Sequence, residues 1–215
     1  MSHDDFQIEP IRGLPEVPPE GEKILWQGAP SWRALARDAF KLYWVAGYFV
    51  VMAVWRAVDV AAARTVAEGA QSAIPMLVLG AIACGIIALI AYVQAKTTVY
   101  TITNRRVAMR IGAALTVTLN LPYKWIGSVD LTKRRDGTGS IAMQLMGSTR
   151  LSYLVCWPHV RPWRMSKTEP TLRCIPDAEK IAHLLAESAQ ARLTEIALKP
   201  GEVEAAAPAH PVAAE

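Results

Sequence analysis

The chain is poor in the residues from which most catalytic and metal centres are assembled. Three cysteines and four histidines are spread over 215 residues. Cys84, Cys156 and Cys174 form no CxxC pair and no cysteine–histidine ligand spacing, which excludes a zinc ribbon or a disulfide-stapled scaffold and leaves them reduced and structural. His159 has only Cys156 nearby, in a proline-containing stretch without a third group to orient a nucleophile. No catalytic, metal-binding or cofactor-binding set is therefore expected, and the chain reads as a non-enzyme. The N-terminus lacks a leader pattern too: Asp4, Asp5, Glu9 and Glu16 stand where a cleaved secretory signal is basic and then apolar, so nothing is expected to be removed. The most informative absence is of charge, because residues 73–93 contain no Asp, Glu, Lys or Arg.

What fills that run is Leu, Ile, Val, Ala and Gly, and a helix of this length, rising about 1.5 Å per residue, crosses a bilayer core. A second apolar run, 42–63, lies just upstream and is interrupted only by Arg56 and Asp59, so the two predict a transmembrane hairpin with its turn at 64–72. Arg33, Arg37 and Lys41 precede the first span, and Lys96, Arg105, Arg106 and Arg110 follow the second. The turn offers only Arg64 balanced by Glu68, which places both termini of this multi-pass chain on the cytoplasmic side. The net charge of +4 and pI near 9.0 come largely from these flanks, so no nucleic-acid partner is expected. Arg56 and Asp59 share a helix face and can pair to anchor a partner helix, although at about 21 and 25 Å along the span they also suit the far interface, where Arg56 can snorkel. Gly80, Ala81, Gly85 and Ala88, with Cys84, place small side chains three and four apart, which permits close helix packing against the first span, a second copy in a homodimer, or another protein.

From 97 onward the hydrophobic period changes. Leu115, Val117, Leu119 and Leu121 alternate with Thr116, Thr118 and Asn120, a half-buried strand that Pro122 ends. Residues 97–103 and 107–111 read as a hairpin about Asn104, which tolerates left-handed geometry, and 126–132 with 140–146 as another about Asp136-Gly137. Residues 151–157 and 171–175 add two β-prone segments, making six or seven strands in meander order. A helix follows, with Asp177 as N-cap, Glu179 in its first turn, and Ile181, Leu184, Leu185 and Ala189 on one face. The tail 202–215 is Ala, Pro and Glu with no large apolar residue except valine, a composition of disorder. The organisation expected is a Pro-rich cytoplasmic arm (1–37), the hairpin (38–96), a cytoplasmic domain (97–195) and a tail (196–215).

A small antiparallel sheet closed by one C-terminal helix is the pleckstrin-homology architecture, and particular residues carry that resemblance. Tyr100-Thr-Ile-Thr-Asn-Arg-Arg-Val, then Gly112 and Leu121-Pro-Tyr-Lys-Trp-Ile-Gly-Ser-Val, and Glu22-Lys-Ile-Leu-Trp-Gln-Gly-Ala-Pro resemble the bacterial pleckstrin-homology-like membrane proteins across 22–189. Within that superfamily Glu9-Pro-Ile-Arg-Gly-Leu-Pro, Leu154-Val-Cys-Trp-Pro-His-Val-Arg-Pro-Trp-Arg and Leu172-Arg-Cys-Ile-Pro-Asp-Ala resemble the photosynthetic complex assembly (PuhB) family of purple bacteria. The resemblance implies a membrane α+β protein, a two-helix transmembrane hairpin followed by a pleckstrin-homology-like antiparallel β domain closed by a C-terminal helix. It also implies a non-catalytic assembly factor for the reaction centre and light-harvesting 1 antenna, in the cytoplasmic or intracytoplasmic membrane, with those subunits as transient partners. It supplies no catalytic residues. His3, His159, His183 and His210 all lie outside both spans, so the chain is not expected to hold bacteriochlorophyll as an antenna subunit does. The alternative is a general membrane-surface module of the same fold that binds lipid and has no photosynthetic role.

Three groups of residues are candidate sites. Trp157, His159, Arg161, Trp163 and Arg164 lie in a stiff loop rich in interface residue types. Either they dock a partner or the headgroup layer, or the tryptophans complete the domain's own core and the arginines are solvated. Arg105, Arg106 and Arg110 either meet anionic lipid or merely set topology. Gly80, Ala81, Gly85 and Ala88 form the helix-packing group.

Overall fold

A computed structural model describes residues 11–14, 16–112, 116–147 and 151–198. The chain divides into two compact units, Ser31–Lys96 and a second made of the residues before and after it.

The Ser31–Lys96 unit is helical: α1 (Trp32–Asp38), α2 (Leu42–Ala63) and α3 (Val66–Thr97). Helices α2 and α3 are long and apolar enough to cross a membrane, with mean hydropathy 1.6 and 2.6, and almost none of their apolar stretch is buried within the protein. A core helix of a water-soluble protein would show the opposite. The turn expected at 64–72 shrinks to Arg64 and Thr65. Thr65 caps α3 with its side chain: the Glu68 N–H donates to Thr65 Oγ1 at 3.2 Å, and the Thr65 hydroxyl donates to the Glu68 carboxylate at 3.2 Å, so α3 starts at once. The buried residues of α2 and α3 are small: Ala53 on α2 and Gly69, Gly80, Ala91 and Ala95 on α3. A Cβ at Gly80 would lie 2.7 Å from Phe49 Cβ, and one at Gly69 would lie 2.5 Å from the Ala57 carbonyl oxygen, so neither position admits a larger residue without moving its neighbour. Gly80 thus packs as expected. Ala81 and Gly85 do not: both are exposed, and nothing lies within 4 Å of a Cβ built at Gly85. The buried positions 69, 80 and 91 recur three turns apart along α3, and Ala88 is only half-buried.

Among the described residues, the second unit holds seven strands in two antiparallel sheets. One sheet runs in the order β1 (Ile24–Gly28), β2 (Val99–Thr103), β3 (Arg106–Ile111) and β4 (Val117–Pro122). The other is β5 (Ile126–Lys133), β6 (Thr138–Leu145) and β7 (Thr171–Pro176). The expected meander is therefore real but split, by a single 3-10 turn at Tyr123–Trp125. Strand β1 departs from the expectation of a separate N-terminal arm. It pairs with β2, Trp26 opposite Ile102, so the helical unit is an insertion between two neighbouring strands. Its lead-in is fastened by the bidentate pair of Arg106 with Glu22 (2.9 and 3.2 Å) and by Asn104. Asn104 accepts from the Lys23 N–H and donates to the Gly21 carbonyl, both at 2.9 Å, and it is not among the residues with positive φ, so its role is to tie β1 and not to supply a left-handed turn. Further upstream, Leu14 is buried in the same unit.

The segment 151–157, expected to be extended, contains one helical turn, α4 (Tyr153–Cys156). Cys156 is buried and Tyr153 packs on the core, a spacing of three that a turn satisfies and a strand does not. Helix α5 (Ala178–Leu198) closes the fold, with Ile181, Ala182, Leu185 and Ala189 against the core and Leu184 half-buried. Asp177 precedes it with φ 50 and gives its carbonyl to Ile181 N–H at 3.2 Å. Between the sheets and α5 lie Tyr100, Ile102, Met109, Ile111, Tyr123, Ile141, Met143 and Leu172. Leu115 and the tail 202–215 lie outside the described residues.

Candidate docking surface

The loop 157–170 is held at its base from two sides. The Thr171 N–H donates to the His159 carbonyl and the Arg161 N–H to the Glu169 carbonyl, each at 2.9 Å, and Val160 bridges Pro170, so the two limbs form a short ladder. Beneath it His159 is fully buried, which removes it from the surface where docking was expected. Its ring Nδ1 lies 2.6 Å from the Tyr100 hydroxyl and its Nε2 lies 3.1 Å from Thr98 Oγ1. Because the Arg173 backbone N–H donates to the Tyr100 oxygen at 3.3 Å, the consistent assignment has Tyr100 donating to Nδ1 and Nε2–H donating to Thr98. Every polar atom of the imidazole is then satisfied in its neutral form. Burial, with the nearby Arg173 charge adding to it, pushes the His159 pKa down to about 3. The Arg173 guanidinium itself donates to the Pro158 carbonyl at 3.2 Å. The Trp157–Pro158 peptide is cis.

Arg161 and Arg164 converge on Glu169, whose side chain is buried. Arg161 lies 3.1 Å from Glu169 and 2.8 Å from Asp130 on β5, and Arg164 lies 3.4 Å from Glu169. The hydrogen bond to Glu169 keeps the Arg161 guanidinium firmly protonated. Both arginines therefore stiffen the loop before they meet any partner, at the rim of a shallow polar hollow shared with Ser128 and Gln144. Large apolar side chains also reach outward: Trp163 is 89% exposed, Leu154 84%, Met165 66%, Val155 57% and Trp157 41%. Trp163 also sits at φ 65, a left-handed backbone that a bulky residue rarely adopts.

The chain matches the bacterial PH domain family model over residues 40–189. It belongs to that family. This bacterial PH domain protein is also 47% identical over 201 residues, 91% of its own length and 92% of the relative's, to a Rhodobacter capsulatus protein described as an uncharacterized 23.7 kDa protein in the puhA 5' region. No solved structure matches it.

Of the residues expected to meet lipid, Arg106 is committed to Glu22, while Arg105 and Arg110 are half-buried on the β2–β3 hairpin. Sequence reasoning missed Leu154, Val155 and Met165 as surface groups, and Thr98, Tyr100, Arg173 and Glu169 as the loop's foundation. A pattern could have exposed the first three, since helical spacing through Tyr153 and Cys156 turns 154 and 155 outward. The foundation had no local signal, because its members lie just before β2, on β2, on β7 and in the loop. Among the described residues no group of three or more His, Cys, Asp or Glu side chains is placed to hold a metal ion.

Proposed function

We propose that this protein is a non-catalytic assembly factor for the photosynthetic reaction centre and light-harvesting 1 core complex, a member of the PuhB type. The observation that carries the reading is the 47% identical relative, which is named for its place in the 5' region of the photosynthesis gene puhA. The three PuhB-like segments support it, and two of them, Leu154–Arg164 and Leu172–Ala178 in numbers 154–164 and 172–178, build the exposed loop and the strand beneath it. On this reading the hairpin, with both termini cytoplasmic, keeps the β unit at the face of the membrane that receives new core subunits. The loop then works at that face while the subunits, its transient partners, find one another.

The test is a near-infrared absorption spectrum of membranes from a deletion strain grown at low oxygen, beside its complemented parent. A selective loss of core-complex bands with pigment synthesis intact is expected; an unchanged spectrum removes the photosynthetic role. Complementation by a Trp157→Ala, Arg161→Ala, Trp163→Ala triple variant that accumulates normally should leave the core bands low. A second reading, a lipid-surface module without photosynthetic partners, draws on the exposed apolar loop, and it would be upheld by vesicle binding combined with an unchanged spectrum.

A further inference from the structure

The loop exposes no acidic side chain. Leu154, Val155, Trp157, Trp163 and Met165 are all exposed, and between 151 and 168 there is no acidic residue, only Arg161, Arg164 and Lys167. The first acid after them, Glu169, is buried beneath two arginines. Apolar and aromatic groups interspersed with cations match the chemistry of an anionic lipid interface, where tryptophan is favoured and each nearby cation adds attraction, and the exposed acid beside the loop, Asp130 on β5, is already paired with Arg161, which leaves Arg164 and Lys167 as the outward cations.

The loop's attachment within the β unit specifies which surface that is. Its buried anchor, His159, is hydrogen-bonded to Thr98, the residue that directly follows the last residue of α3. Val93 ends the apolar run, and the four residues from there to Thr97 rise about 6 Å along a helix. The headgroup layer on each side of a bilayer is about 5 to 7 Å deep. If α3 spans the membrane, Thr98 therefore emerges at headgroup level, and the loop is fastened to the point of emergence.

We propose that the loop bearing Leu154, Val155, Trp157, Trp163 and Met165 seats in the headgroup interface of the bilayer that holds the hairpin, with Arg164 and Lys167 against anionic headgroups. The occupant of this surface is lipid, and it is engaged whether or not a core subunit is present. The inference does not depend on the photosynthetic role, only on α3 being a membrane span.

The test uses the full chain in vesicles of phosphatidylcholine and phosphatidylglycerol. Trp163→Cys and Met165→Cys are labelled with an environment-sensitive fluorophore, with Arg135→Cys, on the exposed β5–β6 turn, as the comparison. The unsubstituted chain, whose Cys156 and Cys174 are buried and whose Cys84 is half-buried on α3, gives the background labelling. Expected are a blue-shifted emission at 163 and 165, quenching by nitroxide placed at the headgroups, and iodide quenching several-fold weaker than at 135. Because these positions are exposed, substitution should leave the fold intact, and an unchanged circular dichroism spectrum checks that. Equal iodide access at all three positions without nitroxide quenching overturns the proposal. Protection that appears only in membranes containing reaction-centre and antenna subunits, and not in pure lipid, also overturns it and assigns the surface to a protein partner.

Discussion

Helices α2 and α3 and the β unit bury opposite kinds of residue. In the helical unit Gly69, Gly80, Ala53 and Ala91 are buried, while Trp44, Trp55 and Leu89 face outward. In the β unit Tyr100, Tyr123, Met143 and Leu185 are buried, and most outward positions are polar. The inversion follows from the solvent. In water, large apolar groups gain most by leaving the surface, at about 25 cal/mol per Å² removed. In lipid they gain nothing by doing so, and helices associate through close backbone approach over small residues. One chain therefore carries two packing rules, and each can be broken separately.

The largest effect is expected from Leu185→Ala, which empties a fully buried site between α5 and the sheets and should cost about 2–5 kcal/mol in chemical denaturation of the β unit. Leu89→Ala, the same deletion on a residue 62% exposed on α3, should leave stability unchanged if lipid covers it. An equal loss in both would collapse the distinction. Next, Gly80→Leu forces a side chain against Phe49 and should destabilise the helical unit by about 1–3 kcal/mol in detergent melting. Gly85→Leu, with open space around it, should not.

Within the β unit, Tyr100→Phe removes the hydroxyl that donates to His159 and accepts from Arg173, and leaving those buried groups unsatisfied should cost about 1–3 kcal/mol. Acid should act at the same place. Unfolded, His159 takes up a proton near pH 6.5; folded, it does so only near pH 3, so between these values the unfolded chain binds more protons and stability falls as pH falls. The slope is about 1.4 kcal/mol per pH unit, measured as the difference between the parent chain and His159→Gln. An identical pH dependence in the two chains would show that His159 is not buried neutral.

Much of this was legible in the residues themselves. Uncharged length marked 73–93, because no soluble surface tolerates it, and strict alternation marked β4, because a sheet has two faces. The Asp136-Gly137 turn and the face of α5 were equally local. Strand β1 was not legible. Proline surrounds it, and its partner β2 lies beyond the whole helical insertion, so no nearby residue reports the pairing. The candidate site divided along the same line. Residue type alone marked Trp157 and Trp163 as either docking groups or part of the core and left that choice open, and His159, close to them in sequence, went inward because Tyr100, Thr98 and Arg173 from distant segments complete its hydrogen bonds.

By itself, then, the sequence determined where the membrane helices lie, that an antiparallel β unit follows them, and that a tryptophan- and arginine-bearing loop is its distinctive feature, since each rests on composition or period within one short stretch. Only the tertiary structure decided which members of that loop are exposed, that β1 belongs to the sheet, and that Gly80 and not Gly85 meets the neighbouring helix, because burial and hydrogen bonding are properties of pairs that the chain brings together only on folding.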